Sequence, residues 1–160
     1  MAKNFFVLLV ALIGFGMSAI SQTILRNGCT IVEISSGTYW LYDEKDNYTG
    51  ASGKSINLLS NGKYCVEISS GTYWLYNSNF EYTGVSGKSI KILSNGKYCV
   101  EIRSGTYWLY NSNFEYTGVS GKSIKLLSNG KYCVEISSGT YWLYNSNFEY
   151  TGISGKGPCD

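Results

Sequence analysis

Trp40, Trp74, Trp108 and Trp142 stand 34 residues apart, and the residues around each of them repeat as well. A fixed period of this length marks a chain built from stacked or ring-closed modules, because one such module is too small to bury a core alone. The stretch from Asn61 reads NGKYCVEISSGTYWLYNSNFEYTGVSGKSIKILS, and the next copy differs only in Arg103 for Ser69 and Leu126 for Ile92. The units run from about 27–60, 61–94, 95–128 and 129–160. The first is the most divergent, with Asp43, Glu44, Lys45, Asp46 and Asn47 where later units read NSNFE, as end modules of arrays often are.

Within a unit, Gly, Ser and Asn divide the chain into four strand-length segments: KYCVEIS, TYWLYN, FEYTGV and KSIKLLS. Tyr, Val, Ile and Thr favour extended structure, so the fold class is all-β. Ser70-Gly71 marks a two-residue hairpin, since Gly accepts the positive φ of a tight turn. With Ser69 opposite Thr72, simple alternation pairs Ile68 with Tyr73, Glu67 with Trp74, Val66 with Leu75 and Cys65 with Tyr76. That register puts Tyr64, Val66, Ile68, Tyr73 and Leu75 on an aliphatic core face, with Tyr82 beside Leu75. Cys65, Glu67, Trp74 and Tyr76 fall on the other face.

The last unit breaks off at Gly155-Lys156, where GPCD replaces a strand, while TILRNG near the start matches the end of that missing strand. Four periods nearly fill residues 22–160. The expectation is a closed, propeller-like ring of four antiparallel units in which the first strand completes the last unit and no sheet edge is left over. An open β-solenoid or twisted β-ribbon is the alternative.

Residues 1–21, MAKNFFVLLVALIGFGMSAIS, have the charged, apolar and small-residue order of a secretory signal peptide. The apolar run is shorter than the roughly 20 residues a membrane span needs. Cleavage after Ser21 would leave a β-repeat domain of residues 22–160 with no membrane span. The expected location is secreted, periplasmic or cell-surface, in an oxidising setting.

The sequence holds five Cys and no His. Without His, Ser-His-Asp and Cys-His catalysis and His-bearing zinc sites are excluded. Cys65, Cys99 and Cys133 share one repeat position, where the first unit has Ile31, so they read as small buried fillers. With one thiol per unit and no C-x-x-C, no metal site and no cofactor are expected. Cys29 and Cys159 lie off the period near the two ends, and a disulfide between them would staple a closed ring. The formal charge of +2 is too small and too evenly spread to imply nucleic acid.

Glu67, Glu101 and Glu135 recur, as do Glu81, Glu115 and Glu149. A glycosidase needs two carboxylates in unequal environments, and near-identical repeats supply equal ones, so no enzyme is expected. The aromatic set can carry function instead. Trp74 and Tyr76 beside Glu67 would form a flat π-surface with a hydrogen-bonding carboxylate, repeated at Glu101, Trp108 and Tyr110 and at Glu135, Trp142 and Tyr144. The competing reading is that these aromatics only pack between units.

The stretch TYWLYNSNFEYTG resembles the hairpin of choline- and glucan-binding cell-wall repeats, which also run aromatic pair, polar turn, then Thr-Gly. The resemblance covers about 13 residues per unit and implies that such a hairpin can recognise cell-surface ligands, without carrying over any particular binding residue. The expected function is multivalent, non-enzymatic binding, with a glycan or other cell-surface component as partner. The alternative is a structural or self-assembling surface protein.

Overall fold

The computed structural model describes residues 21–157. Residues 1–20 of the signal segment and Cys159 lie outside the described residues. The described residues form sixteen strands in four antiparallel sheets of four, each sheet in simple chain order. Sheet one holds β1 (Gln22–Ile24), β2 (Thr30–Ser35), β3 (Thr38–Tyr42) and β4 (Tyr48–Gly53). Sheet two holds β5 (Ser55–Leu58), β6 (Tyr64–Ser69), β7 (Thr72–Tyr76) and β8 (Tyr82–Gly87). Sheet three holds β9 (Ser89–Ile92), β10 (Tyr98–Arg103), β11 (Thr106–Tyr110) and β12 (Tyr116–Gly121). Sheet four holds β13 (Ser123–Leu126), β14 (Tyr132–Ser137), β15 (Thr140–Tyr144) and β16 (Tyr150–Lys156). The all-β, propeller-like repeat architecture is therefore present, and every sheet begins with the segment that closes the preceding sequence unit.

That phase corrects the expected use of the first strand. Gln22, Thr23 and Ile24 pair with Val32, Ile31 and Thr30, so β1 completes the first sheet and not the last. The fourth sheet already has its four strands because β13 comes from the unit before it.

The hairpin register also differs from simple alternation. Ser69 does face Thr72, and Gly71 takes φ 69° in the two-residue turn between them. Beyond the turn, however, Glu67 pairs with Tyr73, Val66 with Trp74, Cys65 with Leu75 and Tyr64 with Tyr76. Ile68 is the extra residue of a β-bulge, which moves each partner by one position and so exchanges the faces. Tyr64, Val66, Trp74 and Tyr76 share one side of the sheet, here called the front. Cys65, Glu67, Tyr73 and Leu75 share the back. The same bulge recurs in every sheet, between Glu33 and Ser35, Glu101 and Ser104's neighbour Arg103, and Glu135 and Ser137.

Both sides of the two inner sheets are apolar because each of these is sandwiched between its neighbours. The back of sheet one, with Ile31, Leu41 and Ala51, packs on Ile56, Tyr64 and Val66 at the front of sheet two. Leu75 and Val85 pack likewise on Tyr98 and Val100, and Leu109 and Val119 on Tyr132 and Val134. The core is thus three copies of one inter-sheet seam. Each seam is pinned by a backbone hydrogen bond from the linker: Lys54, Lys88 and Lys122 N–H groups donate to the Glu67, Glu101 and Glu135 carbonyls.

A buried tyrosine crosses each seam. Asn27 Nδ2 donates to Tyr64 Oη at 2.6 Å, Asn61 to Tyr98 at 2.6 Å, and Asn95 to Tyr132 at 2.7 Å. Burying a phenol needs such a partner. Tyr64 Oη also donates to Cys29 Sγ at 3.2 Å.

The array is open among the described residues. Val119 on the back of sheet three is 1% exposed, whereas its counterpart Ile153 on sheet four is 48% exposed, with no further sheet over it. The Cys29–Cys159 staple does not fit this arrangement: Cys29 is a buried free thiol in the first seam. Cys65 and Cys99 are buried fillers as expected, but Cys133 is held in a disulfide, so the repeat cysteines do not share one role.

Candidate binding surface

The aromatic surface starts from the second hairpin of each sheet. Asn77 Oδ1 accepts from the Asn79 and Glu81 backbone N–H groups, fixing the turn after β7, and Phe80 completes it at φ 66°. Thr83 Oγ1 then donates to the Leu75 carbonyl at 2.8 Å, and Gly84 at φ 83° follows. These contacts hold a register shift between Trp74 and Tyr76, so that Tyr82 pairs with Tyr76 while its ring leans over Trp74.

The result is an aromatic triad on every sheet. Trp74 and Tyr82 stack with ring centres 4.5 Å apart, and Tyr76 lies 6.0 Å from Tyr82. Trp40 and Tyr48 are 4.5 Å apart, Trp108 and Tyr116 4.6 Å, and Trp142 and Tyr150 5.0 Å. The outer tyrosines are the open members: Tyr48, Tyr82, Tyr116 and Tyr150 are 43%, 41%, 42% and 45% exposed.

The triads form a continuous row. Burial raises the Tyr76 phenol above its usual value, and the neighbouring Tyr48 and Tyr82 phenols raise it further. Tyr110 is raised by burial and then by Tyr116 and Tyr82, and Tyr144 by burial and then by Tyr116 and Tyr150. Tyr76, Tyr110 and Tyr144 thus each lie near the outer tyrosine of their own sheet and near that of the sheet before it.

The carboxylates expected on this surface are elsewhere. Glu67 faces Tyr73 on the back, where its Oε1 accepts from Gly71 N at 3.3 Å and its Oε2 accepts from Ser55 Oγ at 3.2 Å. Glu101 and Glu135 make the same pair of contacts with Gly105 and Ser89 and with Gly139 and Ser123. They brace the first hairpin. Glu81, Glu115 and Glu149 accept from Asn77, Asn111 and Asn145 and brace the second. Of the expected surface residues, the structure thus brings Trp74, Tyr76, Trp108, Tyr110, Trp142 and Tyr144 together and leaves the three glutamates out. It adds Tyr48, Tyr82, Tyr116 and Tyr150, which simple alternation places against Leu75 and its counterparts. The Thr-Gly after each of these tyrosines is the signal of the irregular register, since Gly inside a strand often marks a bulge.

A cleft of about 550 Å³ also opens between sheets one and two, lined by Leu25, Arg26, Tyr39, Lys54, Ile56 and Leu58. Arg26 replaces the serines at 60, 94 and 128 there and spans the gap, donating from Nη2 to the Leu59 carbonyl at 2.5 Å. It closes the seam by direct bonding across it.

No protein-family model and no curated protein matches the sequence. Among solved structures, the fold is similar to BamB from Moraxella catarrhalis, at 12% identity and a TM-score of 0.41 over 79% of this chain and 45% of that one. It is also similar to the C-terminal WD40 domain of Sif2, at 11% identity and 0.40 over 92% and 49%. The WD40 beta propeller domain of Doa1 matches at 14% and 0.36 over 84% and 52%. The chain spans about half the length of these structures. Among the described residues, no helix is long and apolar enough to cross a membrane.

Proposed function

We propose that the protein is an exported, non-enzymatic binding protein that engages carbohydrate at a cell surface through the tyrosine row. The observation that carries this reading is the repetition, once per sheet, of an exposed tyrosine whose position is fixed by a tryptophan stacked behind it. A flat aromatic ring with a polar rim suits the apolar face and hydroxyls of a sugar. Because the rings are held in place, little side-chain freedom is lost on binding. Four equivalent sites in one row turn weak single contacts into useful avidity for a polymer, and leave a free monosaccharide weakly bound.

Trp40, Trp74 and Trp108 are half-buried and support the internal-packing reading for themselves alone, whereas Trp142 is 38% exposed. Trp74 packs against the seam between sheets one and two, and one of its faces is covered by Tyr82. The exposed tyrosines remain for a ligand.

Glycan-array binding followed by calorimetry tests this. Tyr82→Ala with Tyr116→Ala is expected to abolish polymer binding while the far-ultraviolet spectrum and unfolding midpoint stay close to those of the parent. A full array without a single ligand, or a ligand retained by the double variant, would sink the proposal.

A further inference from the structure

Each seam-crossing tyrosine is bonded by the asparagine of an Asn-Gly pair, the dipeptide that loses its side-chain amide most readily, because glycine has no Cβ to hinder its backbone nitrogen. The pairs are Asn27-Gly28, Asn61-Gly62 and Asn95-Gly96, and Asn129-Gly130 stands at the same repeat position. In the reaction the glycine nitrogen gives up its proton and attacks the asparagine Cγ. The bond from Cγ to Nδ2 breaks, ammonia leaves with that proton, and a cyclic imide remains. Water then adds to either imide carbonyl and opens it to aspartate or isoaspartate, so water is the one co-reactant.

Asn61, Asn95 and Asn129 are all exposed, so water reaches each of them. Their glycines share one backbone conformation, at φ 80°, 78° and 79°. The Gly62, Gly96 and Gly130 N–H groups donate to the Leu59, Leu93 and Leu127 carbonyls at 3.1, 2.9 and 3.0 Å. Each asparagine Oδ1 accepts from the lysine N–H two residues on. The turns differ in one contact. Asn61 and Asn95 donate from Nδ2 to Tyr98 and Tyr132 Oη at 2.6 and 2.7 Å, whereas Asn129 has no tyrosine acceptor among the described residues. The bridge thus holds the nitrogen that has to leave, and the carbon under attack is free to turn once the seam opens. We propose that these Asn-Gly turns are modification sites at which the Asn–Tyr bridge holds off spontaneous deamidation, so that a seam that opens converts its own bridge irreversibly.

The products do not rebuild the seam. Isoaspartate adds a methylene to the backbone of a turn closed by hydrogen bonds between residues 59 and 63 and between 59 and 62. Aspartate keeps the chain length but replaces a donor with an acceptor. Tyr98 and Tyr132 can answer it by rotating their own O–H. The Tyr64 O–H already donates to Cys29 Sγ at 3.2 Å, so a carboxylate at position 27 has to break that bond, and the first seam loses most.

Incubation of the purified protein in mildly alkaline buffer, with peptide mapping by mass spectrometry, tests the inference. Cleavage at Arg103 first separates the Asn95 peptide from that of Asn129, since Ile92 and Leu126 have equal mass and the flanking residues are the same. In the native protein Asn61 and Asn95 are expected to react about ten-fold more slowly than Asn129, because one hydrogen bond must open first. In urea the three should react at one rate. Tyr98→Phe should raise the native rate at Asn61 about ten-fold and leave Asn95 unchanged. Equal native rates at the three sites, an Asn61 rate that Tyr98→Phe does not alter, or a rise at Asn61 and Asn95 together overturns the inference.

Discussion

Phe114 places its ring 5.5 Å from that of Tyr98 while its own backbone sits in the left-handed region at φ 68°. Phe80 and Phe148 do the same with Tyr64 and Tyr132. A bulky residue at positive φ costs about 1–2 kcal/mol. Its retention in three turns shows that packing against the buried tyrosine outweighs the strain. Phe114→Ala loses the packing and keeps the strain, whereas Phe114→Gly loses the packing and relieves the strain. Both are expected to destabilise, and the glycine variant should be the more stable of the two by about 1 kcal/mol in urea unfolding, the reverse of the order found in ordinary strands.

The Asn–Tyr bridges couple one sheet to the next. Tyr98→Phe removes the oxygen that accepts from Asn61 Nδ2 at 2.6 Å and leaves that amide part-buried without it. A loss of about 1–2 kcal/mol is expected. In a double-mutant cycle, Asn61→Ala should cost much less in the Tyr98→Phe background than in the parent. Additive losses would show that the bridge contributes nothing.

The period, the strand segments and the two-residue turn at Ser70-Gly71 were all legible in the sequence, because each follows from local backbone chemistry. The faces were not, because a single extra residue at Ile68 reverses them and no simple alternation rule reveals it. That one bulge explains why Glu67 was paired with Trp74, and why Leu75 was placed with Val66 when the two lie on opposite sides. The error had a limited effect on the core, since both faces of the inner sheets are buried. It had a large effect on the candidate site, where the bracing glutamates read as ligands and Tyr82 as core. Cys133 was beyond sequence reasoning for another reason: its role differs from that of Cys65 and Cys99 although the residues around it are the same.

Alkaline conditions should unfold the protein early. Burial pushes the Cys65 and Cys99 thiols up to about 11, and burial with the bond to Cys29 pushes the Tyr64 phenol up to about 12. In the folded state these groups hold their protons where the unfolded chain has lost them. The neutral forms therefore contribute stability that is fully present below pH about 9 and is lost as pH rises through 11. The urea midpoint should change little on this account between neutral pH and pH about 8, then fall. Cys65→Ala with Cys99→Ala should flatten the fall, although it lowers stability at neutral pH. An unchanged slope in that variant would exclude the thiols as its cause.

Gly87 and Gly155 occupy the same repeat position, yet they should tolerate alanine very differently. At Gly87 the added methyl meets a backbone carbonyl and a buried valine of the next sheet, neither of which can move without opening the seam. Overpacking of this kind costs about 1–3 kcal/mol. At Gly155 the nearest atoms to the methyl belong to the far end of the Tyr141 side chain, which can swing aside. Neither glycine has a positive φ, so alanine brings no backbone strain, and the reduced freedom of the unfolded chain favours it by about 0.4–1 kcal/mol. Gly155→Ala is thus expected to be neutral or slightly stabilising in urea unfolding of the monomer, while Gly87→Ala is clearly destabilising.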